Sequence, residues 1–149
     1  MPTTQRTAEI TWDGTIARGD GTVRGHSGGL PELPVTIASR MGEPEGRTSP
    51  EELIAAAHAT CFAMTLGSML EREGNPPDRL HAAATVTLET GDTIGIRSSK
   101  LVVDGVVPGI EQARFRRTAE EAGENCPVSR ALAGNLDIEV EARLRKAAA

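Results

Sequence analysis

Two cysteines are the residues of this chain whose chemistry is most distinctive. Cys61 lies in the apolar stretch "ELIAAAHATCF", and Cys126 lies in "NCPVSRAL". A thiolate attacks electrophilic oxygen or sulfur, and two thiols that meet in a fold can form a disulfide. The pair therefore indicates catalytic or redox-switching chemistry. The alternative is two unrelated small hydrophobic residues, because free cysteine is among the most buried residue types.

The local setting of each cysteine predicts a different reactivity. Cys126 stands between Asn125 and Pro127, where a helix is expected to begin, and the peptide dipoles at a helix N-terminus stabilise a thiolate. By that argument alone, Cys126 would be the nucleophile. Cys61 lies well inside a predicted helix, where apolar surroundings raise the pKa of a thiol unless other side chains oppose them.

Two kinds of side chain are candidates to activate Cys61. His58 precedes it by three residues and shares its helical face, so it is either a Cys-His partner or a core histidine bonded to a backbone carbonyl. An arginine beside the thiol would stabilise the thiolate and hold a leaving oxygen. Arg40 is the candidate that we follow, although the residues alone do not distinguish it from Arg18 or Arg47.

Glu51 is a candidate for orienting that arginine. It occupies the first turn of the predicted helix, where the helix dipole by itself favours a carboxylate. If the helix is unbroken, the ten residues from Glu51 to Cys61 correspond to about 15 Å of axial rise. A direct contact within one helix is then excluded, so Glu51 must act through an arginine or reach a second chain.

The first half of the chain is predicted from turn and capping signals. Residues 7–38 are typical of a β-meander with the strands "TAEITW", "TIAR", "TVRG" and "LPVTIAS", of which the first three are separated by Asp-Gly turns. A central helix is predicted over 50–73. Its start carries Ser49, Pro50 and Glu52 as cap, first residue and capping-box partner, and its end is marked by a glycine.

The second half of the chain completes the predicted fold. Alternating apolar residues predict strands within 79–106 and a last strand over 135–143, with helices over 109–133 between them. The length of 149 residues suits a single domain over 1–149. The order predicts an α+β fold with antiparallel sheets and a long buried central helix. The apolar, alanine-rich faces of that helix also predict a dimer, since one small sheet cannot cover them all.

Composition argues against several classes of function. The net charge is −5 and only three residues are aromatic, which disfavours binding to nucleic acid or to an anionic membrane. The apolar stretch around Cys61 is long enough for a membrane span, but its polar residues and acidic flanks favour a soluble helix. The N-terminus lacks the pattern of a secretory signal, so we expect a cytoplasmic protein. The spacing of cysteine and histidine predicts no metal site.

Taken together, "TSPEELIAAAHATCF" and "NCPVSRAL" resemble the osmotically inducible protein C / organic hydroperoxide resistance (OsmC/Ohr) family. The likeness covers nearly the whole chain, and "TWDGTIARGDGTV" and "SRMGE" are more similar to the osmotically inducible protein C branch. The resemblance implies a thiol-dependent peroxidase that reduces organic hydroperoxides, needs no cofactor and is an intertwined α+β homodimer with active sites at the subunit interface. It also implies a dithiol reductant such as dihydrolipoamide or a lipoylated protein.

The resemblance assigns roles to the candidate residues. Cys61 matches the peroxide-attacking cysteine and Cys126 the resolving one, which reverses the order that the helix dipole favours. Arg40 matches the activating arginine and Glu51 the carboxylate that orients it, while Arg18 is the competitor if the other branch applies. The apolar neighbours of Cys61, among them Leu53, Phe62 and Met64, are expected to favour an alkyl hydroperoxide. The alternative function is a non-enzymatic redox-sensing or ligand-binding dimer on the same scaffold.

Overall fold

The computed structural model describes residues 1–147 and contains ten regular elements in a mixed α+β arrangement. They form two compact units, Met1–Pro50 and the chain from Glu51 onward. In chain order the elements are β1 (Ala8–Asp13), β2 (Asp20–Gly25), β3 (Leu33–Val35), α1 (Ile37–Met41), α2 (Pro50–Arg72), β4 (Arg79–Glu89), β5 (Gly95–Val106), α3 (Gln112–Asn125), α4 (Pro127–Leu132) and β6 (Asp137–Leu144). The prediction of a single domain over 1–149 stays a prediction.

The first unit contains a three-stranded antiparallel sheet in the order β1-β2-β3. The predicted strand "TIAR" is wrong, because Asp13 pairs with Asp20 and the residues between them form the hairpin loop. The predicted turn at Asp20-Gly21 is also wrong, since both residues belong to β2. Gly21 serves close packing instead: a Cβ there would lie 2.8 Å from Cε3 of Trp12.

The predicted strand "LPVTIAS" is correct only over its first three residues. Thr36 ends β3 and caps α1: its Oγ1 accepts the Ser39 N–H at 3.0 Å, and the Ser39 hydroxyl oxygen accepts the Thr36 N–H at 3.1 Å. These local hydrogen bonds compete with the strand ladder and start a helix. Arg40 therefore lies in the last turn of α1.

The long helix α2 ends where its sequence predicts. Gly74 has a left-handed φ of +84°. Its N–H donates to the Glu71 carbonyl at 3.0 Å, while the Asn75 N–H donates to the Leu70 carbonyl at 2.9 Å. This pair of bonds is a Schellman motif, which satisfies carbonyls that the helix end would otherwise leave unpaired.

A stripe of α2 belongs to the main hydrophobic core. Phe62, Leu66 and Leu70 recur every four residues and have no exposed surface. They cluster with β5 and α3 side chains, among them Leu101 and Phe115. By length and composition alone α2 could cross a membrane, but this buried stripe is the pattern of a core helix in a globular fold.

The second sheet has the order β4-β5-β6, and it corrects the prediction of purely antiparallel sheets. β4 and β5 form an antiparallel hairpin with an irregularity between Thr87 and Leu88. β6 pairs with β5 in parallel. The reason is that α3 and α4 lie between these strands in the chain and return it to the end of the sheet where β5 began. This crossover also positions Cys126.

Candidate active site

The two cysteines are positioned by three helices of the second unit. Cys61 lies in the middle of α2 and is half-buried, whereas Cys126 has no exposed surface. Cys126 is the single residue between α3 and α4. Its N–H donates to the Ala122 carbonyl at 2.9 Å, and its carbonyl accepts the Arg130 N–H at 3.0 Å. The prediction that a helix begins immediately after Cys126 is confirmed.

The structure brings the two thiols together. Three groups surround the Cys61 sulfur: the thiol of Cys126, the backbone N–H of Val128 and the hydroxyl of Thr65. Thr65 follows Cys61 by one turn of α2, and Val128 lies in the first turn of α4. Both cysteines are free thiols. The arrangement is that of a reduced dithiol whose two sulfurs belong to different elements.

The groups around Cys61 have opposing effects on its ionisation. Burial is the largest effect and raises the pKa of the Cys61 thiol, and the neighbouring Cys126 thiol raises it further. The Val128 N–H and the Thr65 hydroxyl lower the pKa, because each stabilises a thiolate by hydrogen bonding. The net direction is upward. A reactive thiolate near neutral pH therefore needs a positive charge in addition to these two donors.

His58 does not serve as a Cys-His partner of Cys61. Its imidazole is fully buried, with Nδ1 2.6 Å from the Ser99 hydroxyl oxygen and Nε2 2.7 Å from the Ser129 hydroxyl oxygen. Both ring nitrogens are thus engaged, by serine hydroxyls rather than by the predicted backbone carbonyl. Burial lowers the pKa of His58, so the imidazole is neutral at physiological pH.

The two charged candidates lie in well-defined places. Arg40 is half-buried at the end of α1, and Glu51 is buried in the first turn of α2. Both take part in polar interactions. Because α2 is continuous, about 15 Å of helix rise separates Glu51 from Cys61, so the two side chains cannot touch within α2. The assignment of Arg40 and Glu51 to the site of Cys61 stays a prediction.

Arg18, the competing arginine, lies exposed in the loop between β1 and β2. With Arg47, Thr36 and the carboxylates Glu43 and Glu45 it lines a polar cavity of about 480 Å³ within the first unit. The side chains that line this cavity thus carry both positive and negative charges. Arg18 is exposed there, whereas Arg40 in α1 is half-buried.

A family model described as OsmC-like protein matches residues 42–141, which is most of the chain. The chain belongs to the OsmC-like family. Peroxiredoxin OsmC of Escherichia coli is 36% identical over 140 residues, covering 93% of this chain and 97% of that protein. An organic hydroperoxide resistance protein-like protein of Staphylococcus aureus is 30% identical over 111 residues, covering 72% and 78% of the two chains.

A solved structure agrees with this assignment. The crystal structure of the organic hydroperoxide resistance protein OhrB of Bacillus subtilis matches this OsmC-like chain with a TM-score of 0.72 and 25% identity, over 92% of this chain and 98% of that one. The family and the α+β class that the sequence motifs predicted are confirmed.

Sequence reasoning missed several groups in the site of this OsmC-like protein. The spacing could have indicated Thr65, because a residue four positions after Cys61 shares its helical face. No sequence signal could have indicated the Val128 N–H, since every residue except proline carries such a backbone donor. Sequence reasoning also missed Ser99 and Ser129, because no local pattern shows that residues from β5 and α4 converge on the His58 imidazole.

Proposed function

We propose that this OsmC-like protein is a cysteine-based peroxidase that reduces organic hydroperoxides to alcohols, with Cys61 as the attacking thiol and Cys126 as the resolving thiol. The contact between the two thiols carries the proposal. Their burial supports the order, because an incoming peroxide can reach half-buried Cys61 but not fully buried Cys126. The names of the relatives, peroxiredoxin and organic hydroperoxide resistance protein-like, support a hydroperoxide substrate.

The proposed reaction has three balanced steps. The Cys61 thiolate attacks the terminal oxygen of R-O-O-H, so that an S–O bond forms, the O–O bond breaks and the alkoxide leaves as the alcohol after taking a proton. The sulfur is now a sulfenic acid, oxidised by two electrons. The Cys126 thiol attacks that sulfur, forming a disulfide and releasing water. An external dithiol returns the two electrons by thiol-disulfide exchange.

The resolving step depends on the junction between α3 and α4. A sulfenic acid that waits for its partner is exposed to further, irreversible oxidation. Because the Cys126 thiol already lies next to the Cys61 thiol, we expect resolution to need little rearrangement of the chain. The same arrangement raises the pKa of Cys61, so the proximity that speeds resolution makes the thiolate harder to form.

Arg40 is the proposed source of the missing positive charge. A guanidinium next to the Cys61 sulfur would stabilise the thiolate and donate hydrogen bonds to the departing alkoxide. Glu51 would hold the guanidinium in place through a bidentate contact. These roles come from the family resemblance and from the requirement, set by the upward pKa of Cys61, for a cation in the reactive state.

The substrate is proposed to be an alkyl hydroperoxide. Each CH₂ of an alkyl tail that leaves water contributes roughly 0.8 kcal/mol to binding, which hydrogen peroxide cannot gain. Leu53 is half-buried and so has surface to offer such a tail, whereas Met64, 72% exposed, lies on the part of α2 that a second copy of the chain would cover. Phe62, expected from the sequence to contribute as well, has no exposed surface and belongs to the core instead.

The reductant is proposed to be a small dithiol such as dihydrolipoamide, or a lipoylated protein. Thiol-disulfide exchange requires the reductant to reach one sulfur of the disulfide. Of the two cysteines, Cys61 has exposed surface and Cys126 has none, so the dithiol would attack the sulfur of Cys61. Such reductants operate in a reducing compartment, in keeping with the proposed cytoplasmic location.

We propose a homodimer because α2 has a large exposed apolar surface. Its most apolar 18-residue window has a mean hydropathy of 1.6, but only 22% of that window is buried within the chain. Met64, in the same helix, is 72% exposed. A second copy packed along α2 would remove this apolar surface from water, which is a strong driving force for association.

Disulfide mapping tests the proposed peroxidase. One equivalent of an alkyl hydroperoxide is added to the reduced protein, and disulfides are identified by mass spectrometry under non-reducing conditions. We expect a bond between Cys61 and Cys126, absent in Cys61→Ser and replaced by a trapped Cys61 sulfenic acid in Cys126→Ser. Two free thiols after treatment would refute the peroxidase. A disulfide without steady-state peroxide consumption in the presence of dihydrolipoamide would favour the redox-sensing alternative.

A further inference from the structure

The buried imidazole of His58 joins two elements of the second unit to α2. Its Nδ1 lies 2.6 Å from Oγ of Ser99 in β5, and its Nε2 lies 2.7 Å from Oγ of Ser129 in α4. The three side chains, here called the His58 cluster, are at most 2% exposed. The neutral ring donates one N–H to one serine and accepts the O–H of the other, so both of its polar atoms are satisfied.

The place of this cluster in the fold separates it from an ordinary buried histidine. His58 lies one turn before Cys61 on α2, and Ser129 directly follows Val128 on α4. The hydrogen bond from the imidazole to Ser129 therefore joins the same two helices whose Cys61 sulfur and Val128 N–H lie close together. The first turn of α4 cannot move away from Cys61 without breaking the hydrogen bond to the imidazole.

Apart from this hydrogen bond, the first turn of α4 is held by partial packing, since Val128 packs against the hydrophobic core. The helix spans only Pro127–Leu132, and Ser129 is its only buried residue. Val128 is half-buried and Arg130 is exposed. A short helix with a single buried residue depends strongly on the contact that this residue makes, since isolated helices of this length are not stable.

We propose that His58 is a positioning residue for the Cys61 thiol: its hydrogen bond to Ser129 holds the start of α4 against α2 and thereby keeps the Val128 N–H and the Cys126 thiol at the Cys61 sulfur. Ser99 anchors the other side of the ring on β5. The inference deepens the proposed peroxidase and rests on it where it gives Cys61 the attacking role. The placement of the donors around Cys61 can be measured without peroxide.

The test compares Ser129→Ala with Ser99→Ala in a Cys126→Ser background, where Cys61 is the single thiol. Each variant removes one buried hydroxyl from the same imidazole, so both should lose similar thermal stability, but only Ser129 lies on α4. The rate of Cys61 alkylation by iodoacetamide is followed as a function of pH at a temperature where every variant is folded. We expect Ser129→Ala to slow alkylation at neutral pH about three- to tenfold and to shift its pH profile to higher pH, with less than about a twofold change in Ser99→Ala.

A second pair tests the imidazole itself. His58→Gln places an amide nitrogen near the position of Nε2, which faces Ser129, whereas His58→Asn places one near Nδ1, which faces Ser99. We expect His58→Gln to retain most of the alkylation rate and His58→Asn to resemble Ser129→Ala. Equal alkylation in the two serine variants, or in the two histidine variants, would overturn the proposal and reduce the cluster to core packing. Because alkylation needs no turnover, failure of the peroxidase itself would appear separately, as absence of peroxide consumption.

Discussion

The Cys61 thiol lies next to the thiol of Cys126, although one residue lies in the middle of α2 and the other separates α3 from α4. The Cys61 thiol of this pair is half-buried, and the Cys126 thiol is fully buried. The proximity of Cys126 also raises the pKa of Cys61, so the reactivity of the pair depends on the donors and charges around it. The first two predictions concern those groups.

Thr65→Val should slow the reactions of the Cys61 thiolate. Hydrogen bonds to charged groups contribute about 1.5–3 kcal/mol, and since Cys61 is only half-buried we expect a slowing of about three- to tenfold. Thr65→Ser retains the hydroxyl and should restore the rate. Alkylation of Cys61 against pH measures the effect.

Thr60→Val is the matched control for that experiment. Thr60 is adjacent to Cys61 on α2, but it is exposed and its hydroxyl donates to the Ala56 carbonyl at 2.7 Å. The same substitution there should leave the alkylation rate unchanged. Equal effects at Thr60 and Thr65 would show that the hydroxyl of Thr65 has no specific role.

Arg40→Met should move the pH dependence of Cys61 reactivity to higher pH. Burial already raises the pKa of Cys61, and loss of the positive charge that Arg40 is proposed to supply would leave only the Val128 N–H and the Thr65 hydroxyl to oppose that effect. We expect peroxide consumption at neutral pH to fall by at least about tenfold. Stopped-flow peroxide reduction measures it. Arg18→Met is the control, and a larger loss there would transfer the activating role to the β1-β2 loop.

His58 should make the folded protein less stable as the pH falls. Burial lowers its pKa below the usual 6.5, so between 6.5 and the folded-state value the unfolded chain binds a proton that the folded chain does not. This contribution to stability is complete above 6.5 and is lost below it.

Urea unfolding at about pH 7.5 and about pH 5.5 measures that loss on either side of the histidine range. His58→Gln, which cannot titrate, should lose less stability between the two pH values than the unaltered protein. His81→Gln, at an exposed position of β4, should behave like the unaltered protein. Equal pH dependence in all three would contradict the prediction.

Gly105→Ala should destabilise the second unit by about 1–3 kcal/mol. A Cβ on Gly105 in β5 would lie 2.7 Å from Cε1 of Phe115, a core residue of α3. Because Phe115 has no exposed surface, its ring must displace core neighbours to make room for that Cβ. Gly91→Ala is the control, because a Cβ there meets nothing within 4 Å. Urea unfolding of both variants should separate them clearly.

Met64→Glu should weaken the proposed dimer. A charge placed in an apolar interface along α2 loses its hydration without gaining a partner. Light scattering after size exclusion should show a lower average mass at micromolar concentration. Ile94→Glu, at a 65% exposed position between β4 and β5, is the control. A monomeric mass for the unaltered protein would refute the dimer directly.

The sequence by itself determined the elements whose signals are local. Gly74, with the apolar spacing before it, predicted the end of α2, because a left-handed residue at a helix end needs no distant contact. The two cysteine motifs indicated the family and the pair of thiols. Local signals were misleading at Gly21 and at Thr36. The glycine serves packing against Trp12, and hydrogen bonds between Thr36 and Ser39 begin a helix inside a strand-like pattern.

Only the tertiary structure decided which groups meet. The parallel pairing of β6 with β5 follows from the path of α3 and α4, which alternation of apolar residues along a strand does not encode. The face that His58 shares with Cys61 suggested a pair, but Ser99 and Ser129 engage both ring nitrogens. The pKa of the Cys61 thiol likewise depends on burial and on a backbone donor from α4, the Val128 N–H. Each of these features depends on contacts between residues that are far apart in the chain. Packing of the whole fold sets those contacts, and the local sequence does not.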